Sequence, residues 1–75
     1  RLFVSAGSRD DVRPGDLVGA ITAEAGIAAD KLGKIDVRES FSLVEVQAAE
    51  AERVIAKVTG IPIRGRRVQV RPERD

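Results

Sequence analysis

The stretch Lys34-Ile35-Asp36-Val37-Arg38-Glu39-Ser40-Phe41-Ser42-Leu43-Val44-Glu45-Val46 decides the fold. Polar and apolar residues alternate through both of its halves, the period of side chains along a β-strand. Glu39-Ser40 breaks the alternation, so residues 34–38 and 41–46 read as the two strands of a hairpin. Outside the hairpin the apolar period lengthens. Upstream, Leu17, Val18, Ile21 and Ala25 recur at helical spacing, Pro14 suits a first turn, Asp16 faces the positive helix end and Gly26 supplies a C-cap. These mark a helix over residues 14–25. Downstream, residues 48–59 are rich in Ala and Glu, with Ala51, Val54, Ile55 and Val58 on one face. Gly60 stops this second helix and Pro62 forbids its continuation. Residues 28–33 read as a linker. Alternating runs close the ends: Leu2-Phe3-Val4-Ser5-Ala6 before Gly7, and Arg67-Val68-Gln69-Val70-Arg71 before Pro72.

The order is β-α-β-β-α-β, an α+β, ferredoxin-like arrangement with a four-stranded antiparallel sheet and two helices on one face. One parity of each strand then forms the core: Leu2, Val4, Ile35, Val37, Val44, Val46, Val68 and Val70, covered by Leu17, Val18, Ile21, Val54, Ile55 and Val58. Gly19, inside the first helix, reads as a point of tight helix–sheet packing.

Composition narrows the function. Seventy-five residues make one domain, residues 1–75, and with Arg at its start the chain reads as cut from a longer cytoplasmic protein. The absence of Cys and His excludes a disulfide scaffold, a zinc finger and a Ser-His-Asp triad. No apolar run is long enough to span a membrane. There is no glycine-rich phosphate loop, and the carboxylates form no metal-ligand cluster. No catalytic residue, metal or cofactor is expected, and any ATPase activity belongs to sequence outside this chain. The net charge is only +1, but residues 61–75 hold five Arg against Glu73 and Asp75. Arg64, Arg66 and Arg67 cluster around Gly65, and Arg71 and Arg74 extend that edge. Arg9 and Arg13 lie in the first loop.

The parity opposite the core is more telling. It collects Arg1, Phe3, Ser5, Lys34, Asp36, Arg38, Phe41, Leu43, Glu45, Arg67, Gln69 and Arg71, including both aromatic residues of the protein. A small soluble domain ordinarily buries its Phe residues. Rings on an open sheet among cations suit single-stranded RNA, whose bases stack while Arg and Lys take the phosphates. The same rings, with Leu43, would equally form the apolar centre of a protein–protein or dimer interface. A small-ligand regulatory domain would need a convergent pocket that the sequence does not offer.

The element order and the placement of Phe3 and Phe41 resemble an RNA recognition motif. Leu2-Phe3-Val4 sits at its first-strand signature, and Glu39 to Val46 occupies the third-strand octapeptide. Ile63-Arg64-Gly65-Arg66-Arg67-Val68-Gln69-Val70 matches its usual close. The octapeptide departs from the pattern with Glu39-Ser40 for a basic residue and Gly, and with Leu43 at the main stacking position. A resemblance over nearly the whole chain is to the DbpA-like C-terminal RNA-binding domain of bacterial DEAD-box RNA helicases. It is carried by Leu2-Phe3-Val4 with Gly7, by Val12-Arg13-Pro14-Gly15-Asp16-Leu17-Val18-Gly19-Ala20-Ile21, by Leu32-Gly33-Lys34-Ile35-Asp36-Val37, and by Ile63 to Arg67. The first loop, Ser8-Arg9-Asp10-Asp11, lacks the Lys of the ribosomal-hairpin branch, which places the chain nearer the cold-shock branch. The resemblance implies an accessory domain that brings a helicase core to structured RNA, ribosomal RNA included. The expected RNA-binding residues are Arg1, Phe3, Arg9, Arg13, Arg38, Phe41, Arg64, Arg66, Arg67 and Arg71.

Overall fold

In the first strand Leu2 and Val4 are 3% and 1% exposed while Phe3 between them is only half-buried, the signature of a sheet covered on one side. The computed structural model describes residues 1–73; Arg74, expected to extend the basic edge, lies outside them. The elements are β1 (Leu2–Val4), α1 (Pro14–Ala25), β2 (Leu32–Val37), β3 (Ser42–Val46), α2 (Ala48–Val58), β4 (Pro62–Ile63), β5 (Arg66–Arg67) and β6 (Val70–Pro72). Single 3-10 turns occupy Ser8–Asp10 and Ala29–Lys31. The main sheet is antiparallel in the order β2-β3-β1-β6, with Phe3 opposite Leu43 on β3 and Arg71 on β6.

Both helices cover the Leu2, Val4, Val44 and Val70 face, α1 through Leu17, Ile21 and Ala25, α2 through Val54 and Val58. Each such aliphatic side chain contributes about 1.5–3 kcal/mol on burial. Ile35 and Val37 pack against this core only half-buried, because β2 is an edge strand with a neighbour on one side, and Val46 at the end of β3 is half-buried too. Val12, Ile27 and Ile63, in connecting segments or β4, complete the core. The α1 ends follow the sequence: Pro14 opens the helix, Asp16 accepts a 3.0 Å hydrogen bond from the Arg13 backbone N–H, and Gly26 closes it at φ 67°.

Two expectations are corrected. The last strand is not continuous from Arg67 to Arg71. Arg64 and Gly65 both take positive φ, 52° and 82°, the requirement of a tight type I′ hairpin turn. β4 and β5 therefore pair with each other, Ile63 with Arg66 and Pro62 with Arg67, forming a separate two-stranded ribbon. Val68 drops into the core and the chain joins the main sheet only at Val70. Gly19 is exposed, and a Cβ built there meets nothing within 4 Å, so it serves no helix–sheet contact.

The glycine that packing does require is Gly7. A Cβ at that position would collide with the carbonyl oxygen of Arg38 and lie 2.7 Å from both Glu39 O and Phe41 N. The bare backbone lets the loop after β1 lie against the β2–β3 turn. There, Ser8 N–H donates to Arg38 O at 2.8 Å and Arg9 N–H to Glu39 O at 2.9 Å. Among the described residues no helix is long and apolar enough to cross a membrane, and no group of carboxylates could hold a metal ion.

Candidate nucleic-acid interface

The ten expected site residues separate into two regions. The first is the open sheet face. Phe41, from the β3 side, stacks on Phe3 with centroids 5.3 Å apart and planes inclined 21°. From the β6 side the Arg71 guanidinium lies 4.5 Å from the centre of the same ring. The three groups form a row across β3, β1 and β6. Both rings are half-buried rather than exposed, and Leu43 is 5% exposed. No large hydrophobic side chain is fully exposed among the described residues, and the apolar part of this face consists of the two half-buried rings. A concavity of about 620 Å³ opens beside the row, lined by Phe3, Phe41, Leu43, Arg71, Pro72 and Glu73.

Two of the sheet cations, Arg1 and Arg38, are neutralised in place. Arg1 makes two hydrogen bonds to Glu73, Nε to Oε1 at 2.9 Å and Nη2 to Oε2 at 3.2 Å. Arg38 holds Asp36 with Nη2 2.8 Å from Oδ2. That hydrogen bond from Arg38, with the positive charges of Arg38, Lys34 and Arg1, keeps the Asp36 carboxyl below its usual range, while the carboxylate raises the Arg38 guanidinium. Arg67, expected on this face, lies in the β4–β5 ribbon and donates to Gly60 O at 2.8 Å. Of the three expected arginines that lie on the sheet face, Arg1, Arg38 and Arg71, only Arg71 has no carboxylate partner among the described residues.

The second region is the edge where the loop after β1 meets the β4–β5 ribbon. It gathers Arg9, Arg13, Arg64 and Arg66, all exposed, around Asp10, Asp11 and Asp16. Arg64 Nε donates to Asp11 O at 3.2 Å and stands 3.7 Å from Asp16 Oδ2. Arg66 Nε donates to Ser5 O at 3.2 Å and stands 3.6 Å from Asp10 Oδ2. Asp10 and Asp16 also accept backbone hydrogen bonds, from Gly7 N and Arg13 N, so both acids have structural tasks in their turns. Arg9 and Arg13 have no carboxylate partner among the described residues. The two non-glycine residues with positive φ among the described residues are Asp11, at 62°, and Arg64, at 52°. They are the pair bonded across this edge. Such backbone costs about 1–3 kcal/mol and gathers at functional sites.

The sequence carried no sign of the ion pairs made by Glu73, Asp16 and Asp10. Glu73 is recoverable from register, since pairing Leu2 with Pro72 puts Arg1 across from it. Asp36 and Arg38 are two residues apart on one strand face, so their pairing was also within reach of the period-two pattern.

A split βαβ domain with cations gathered on a loop edge and an aromatic row on its open sheet has the form of a nucleic-acid-binding module. Comparison with known proteins sharpens that class. The model of the DbpA RNA-binding domain matches residues 1–72, and the chain belongs to that family. It is 33% identical over 70 residues to the ATP-dependent RNA helicase DbpA of Escherichia coli, covering 93% of this chain and 15% of that protein. The ATP-dependent RNA helicase DeaD of Mycobacterium tuberculosis is 35% identical over 71 residues, 95% of this chain and 13% of that protein. An uncharacterised protein of Treponema pallidum is 32% identical over 69 residues, 92% of this chain and 30% of that protein. The chain thus spans less than a third of the length of these curated relatives. The chain is an RNA-binding domain of the kind carried by ATP-dependent RNA helicases.

Proposed function

We propose that this domain docks structured RNA, ribosomal RNA included, against its loop edge and so targets an ATP-dependent RNA helicase core in a longer cytoplasmic chain. The observation that carries this reading is the edge itself, with four exposed arginines beside the hydrogen bond that joins Asp11 and Arg64, two residues with positive φ. Exposed ion pairs as long as those of Arg64 and Arg66 are worth at most about 1 kcal/mol, so a phosphate replaces either carboxylate at little cost. Arg presents a planar fork that suits phosphate oxygens. The sheet residues Arg1, Phe3, Arg38, Phe41 and Arg71 add contacts to unpaired nucleotides, with Arg67 beside them in the ribbon. The relatives' names supply the helicase context, and unwinding is assigned to parts of a parent chain beyond this domain.

The test is a titration with labelled hairpin and single-stranded RNAs, followed by amide chemical shifts at two salt concentrations. Saturable shifts at Arg9, Arg13, Arg64 and Arg66, weakening with salt, are expected with the hairpin. Shifts confined to β1 and β6 would move docking to the sheet. Silence with both RNAs at low salt would overturn RNA docking and favour a protein partner.

A further inference from the structure

The open sheet face carries acids as well as cations, and one of them supports a further assignment, which rests on the reading of the domain as RNA-binding. We propose that Glu45 is a specificity residue that ends the RNA path at the side of the sheet remote from the loop edge. The domain then takes a short unpaired flank of a folded RNA and gains nothing from a single strand that runs on across the sheet. Register sets up the geometry. Leu2 pairs with Val44 on β3 and with Pro72 on β6, so one residue further Arg1 stands between Glu45 and Glu73. The Glu73 N–H donates to Arg1 O at 3.0 Å, in keeping with that register. Past Glu45, on β2, comes Lys34, inside the bulge that shifts the pairing between Leu32 and Ile35. Acid and base therefore alternate across the remote end in the order Glu73, Arg1, Glu45, Lys34.

Within this row Glu45 differs from the other sheet acids. Glu73 is held by Arg1, and Asp36, nearer the loop edge, by Arg38. Glu45 is exposed and has no cation at ion-pair distance among the described residues. Its carboxylate is nonetheless fixed. Oε1 accepts a 3.2 Å hydrogen bond from the Lys34 backbone N–H. The side chain also lies over bare Gly33, where a Cβ would stand 2.7 Å from Oε1 and 3.1 Å from the Glu45 Cβ. A free surface Glu swings away from an approaching phosphate; one bonded to the backbone holds its charge in the path. The reach of that charge is local. Ser5, at the loop end of the sheet, is four residues from Arg1, about 13 Å along β1. That exceeds the screening length of about 8 Å at physiological salt, so Glu45 repels phosphates at its own row without weakening docking at the loop edge. It also shields Lys34, the cation a longer strand would otherwise reach.

The test compares an end-labelled RNA hairpin bearing a short oligouridine tail with the same hairpin bearing a long one, by anisotropy over a series of salt concentrations. The unaltered domain should bind the two alike. Glu45→Gln removes the charge and keeps the oxygen that accepts from Lys34 N–H. It should leave the short-tailed hairpin unchanged and tighten the long-tailed one roughly threefold. The log–log salt slope of the long-tailed RNA should steepen by about 0.7, the mark of one added phosphate contact. Glu52→Gln, exposed on α2, makes the same change in net charge and should alter neither RNA. Lys34→Gln leaves the backbone anchor of Glu45 in place; it should be silent alone and cancel the gain when combined with Glu45→Gln. Weaker binding of the long-tailed RNA by Lys34→Gln alone would mean that the strand already reaches the remote end, which overturns the barrier even should Glu45→Gln fold poorly. Tightening of both RNAs alike by Glu45→Gln, or of neither, also overturns it and leaves the RNA reading standing. Absence of binding to both RNAs by the unaltered domain at low salt overturns the RNA reading itself.

Discussion

On the sheet face Arg1 and Arg38 sit 2.9 and 2.8 Å from Glu73 and Asp36. On the loop edge Arg64 and Arg66 stand 3.7 and 3.6 Å from Asp16 and Asp10, while Arg9 and Arg13 have no carboxylate partner among the described residues. The formal cations are similar in number, but their availability differs. A short hydrogen-bonded pair occupies the donors that a phosphate would need. A loose pair at an exposed site is displaced readily. Counting Arg on a face therefore overstates the sheet as a phosphate surface and understates the edge. The sheet keeps what pairing does not remove, the Phe3–Phe41 stack with Arg71 over it, and Lys34, which has no carboxylate partner among the described residues.

The comparison can be broken most forcefully at Gly7, which holds the edge in place. Gly7→Ala forces a Cβ against the backbone of the β2–β3 turn, and about 2–3 kcal/mol should be lost in urea denaturation. A loss below about 0.5 kcal/mol would mean the two loops separate without consequence. Next in size, Arg9, Arg13, Arg64 and Arg66 changed together to Gln should lower hairpin affinity more than about tenfold. The log–log salt slope should fall by roughly 2–3, with little change in Tm. Unchanged affinity would return phosphate binding to the sheet. Gly19→Ala adds a Cβ in open space on α1, and a gain of about 0.5–1 kcal/mol with unaltered RNA affinity is expected. Weaker RNA binding in that variant would extend the edge along the helix.

The smallest effect concerns Asp36. Its carboxyl is held below the ordinary 3.8 chiefly by the Arg38 hydrogen bond. A carboxylate with a lowered folded-state pKa stabilises the fold above its ordinary value and loses that contribution as pH falls through the lowered one. Arg38 thus stays engaged above the ordinary 3.8, and acidification through the lowered carboxyl value should release the guanidinium, visible in side-chain NMR. Asp36→Asn does the same at neutral pH and should raise RNA affinity roughly two- to threefold at low salt. No change would show that Arg38 lies away from the RNA.

Periodicity made most of this fold legible. The α1 limits, Pro14 and Ala25, were readable because Pro, Asp and Gly each report a local backbone requirement. The hairpin between the helices was equally plain. The final strand failed because Arg64 at positive φ carries no compositional signal; an Asn there would have announced the turn. Once that turn forms, Arg67 leaves the main sheet although its alternation with Val68 and Gln69 is intact. The site was half legible. Parity placed Phe3 and Phe41 on the open face, but parity says which side a residue faces and not what it touches there. The stacking of the rings on each other and the pairing of Arg1 with Glu73 are contacts between distant positions, which no local pattern encodes.

The close approach at Gly7 has one further consequence. Because Ser8 and Arg9 donate to the carbonyls of Arg38 and Glu39, the length of the first loop is fixed by that of its neighbour. A residue inserted into either would shear the two apart and carry Arg9 off the edge. With RNA docked on the loop edge as proposed, its preference is retuned by exchanging side chains on a constant frame, at Arg9 and Arg13, and not by growing a longer loop.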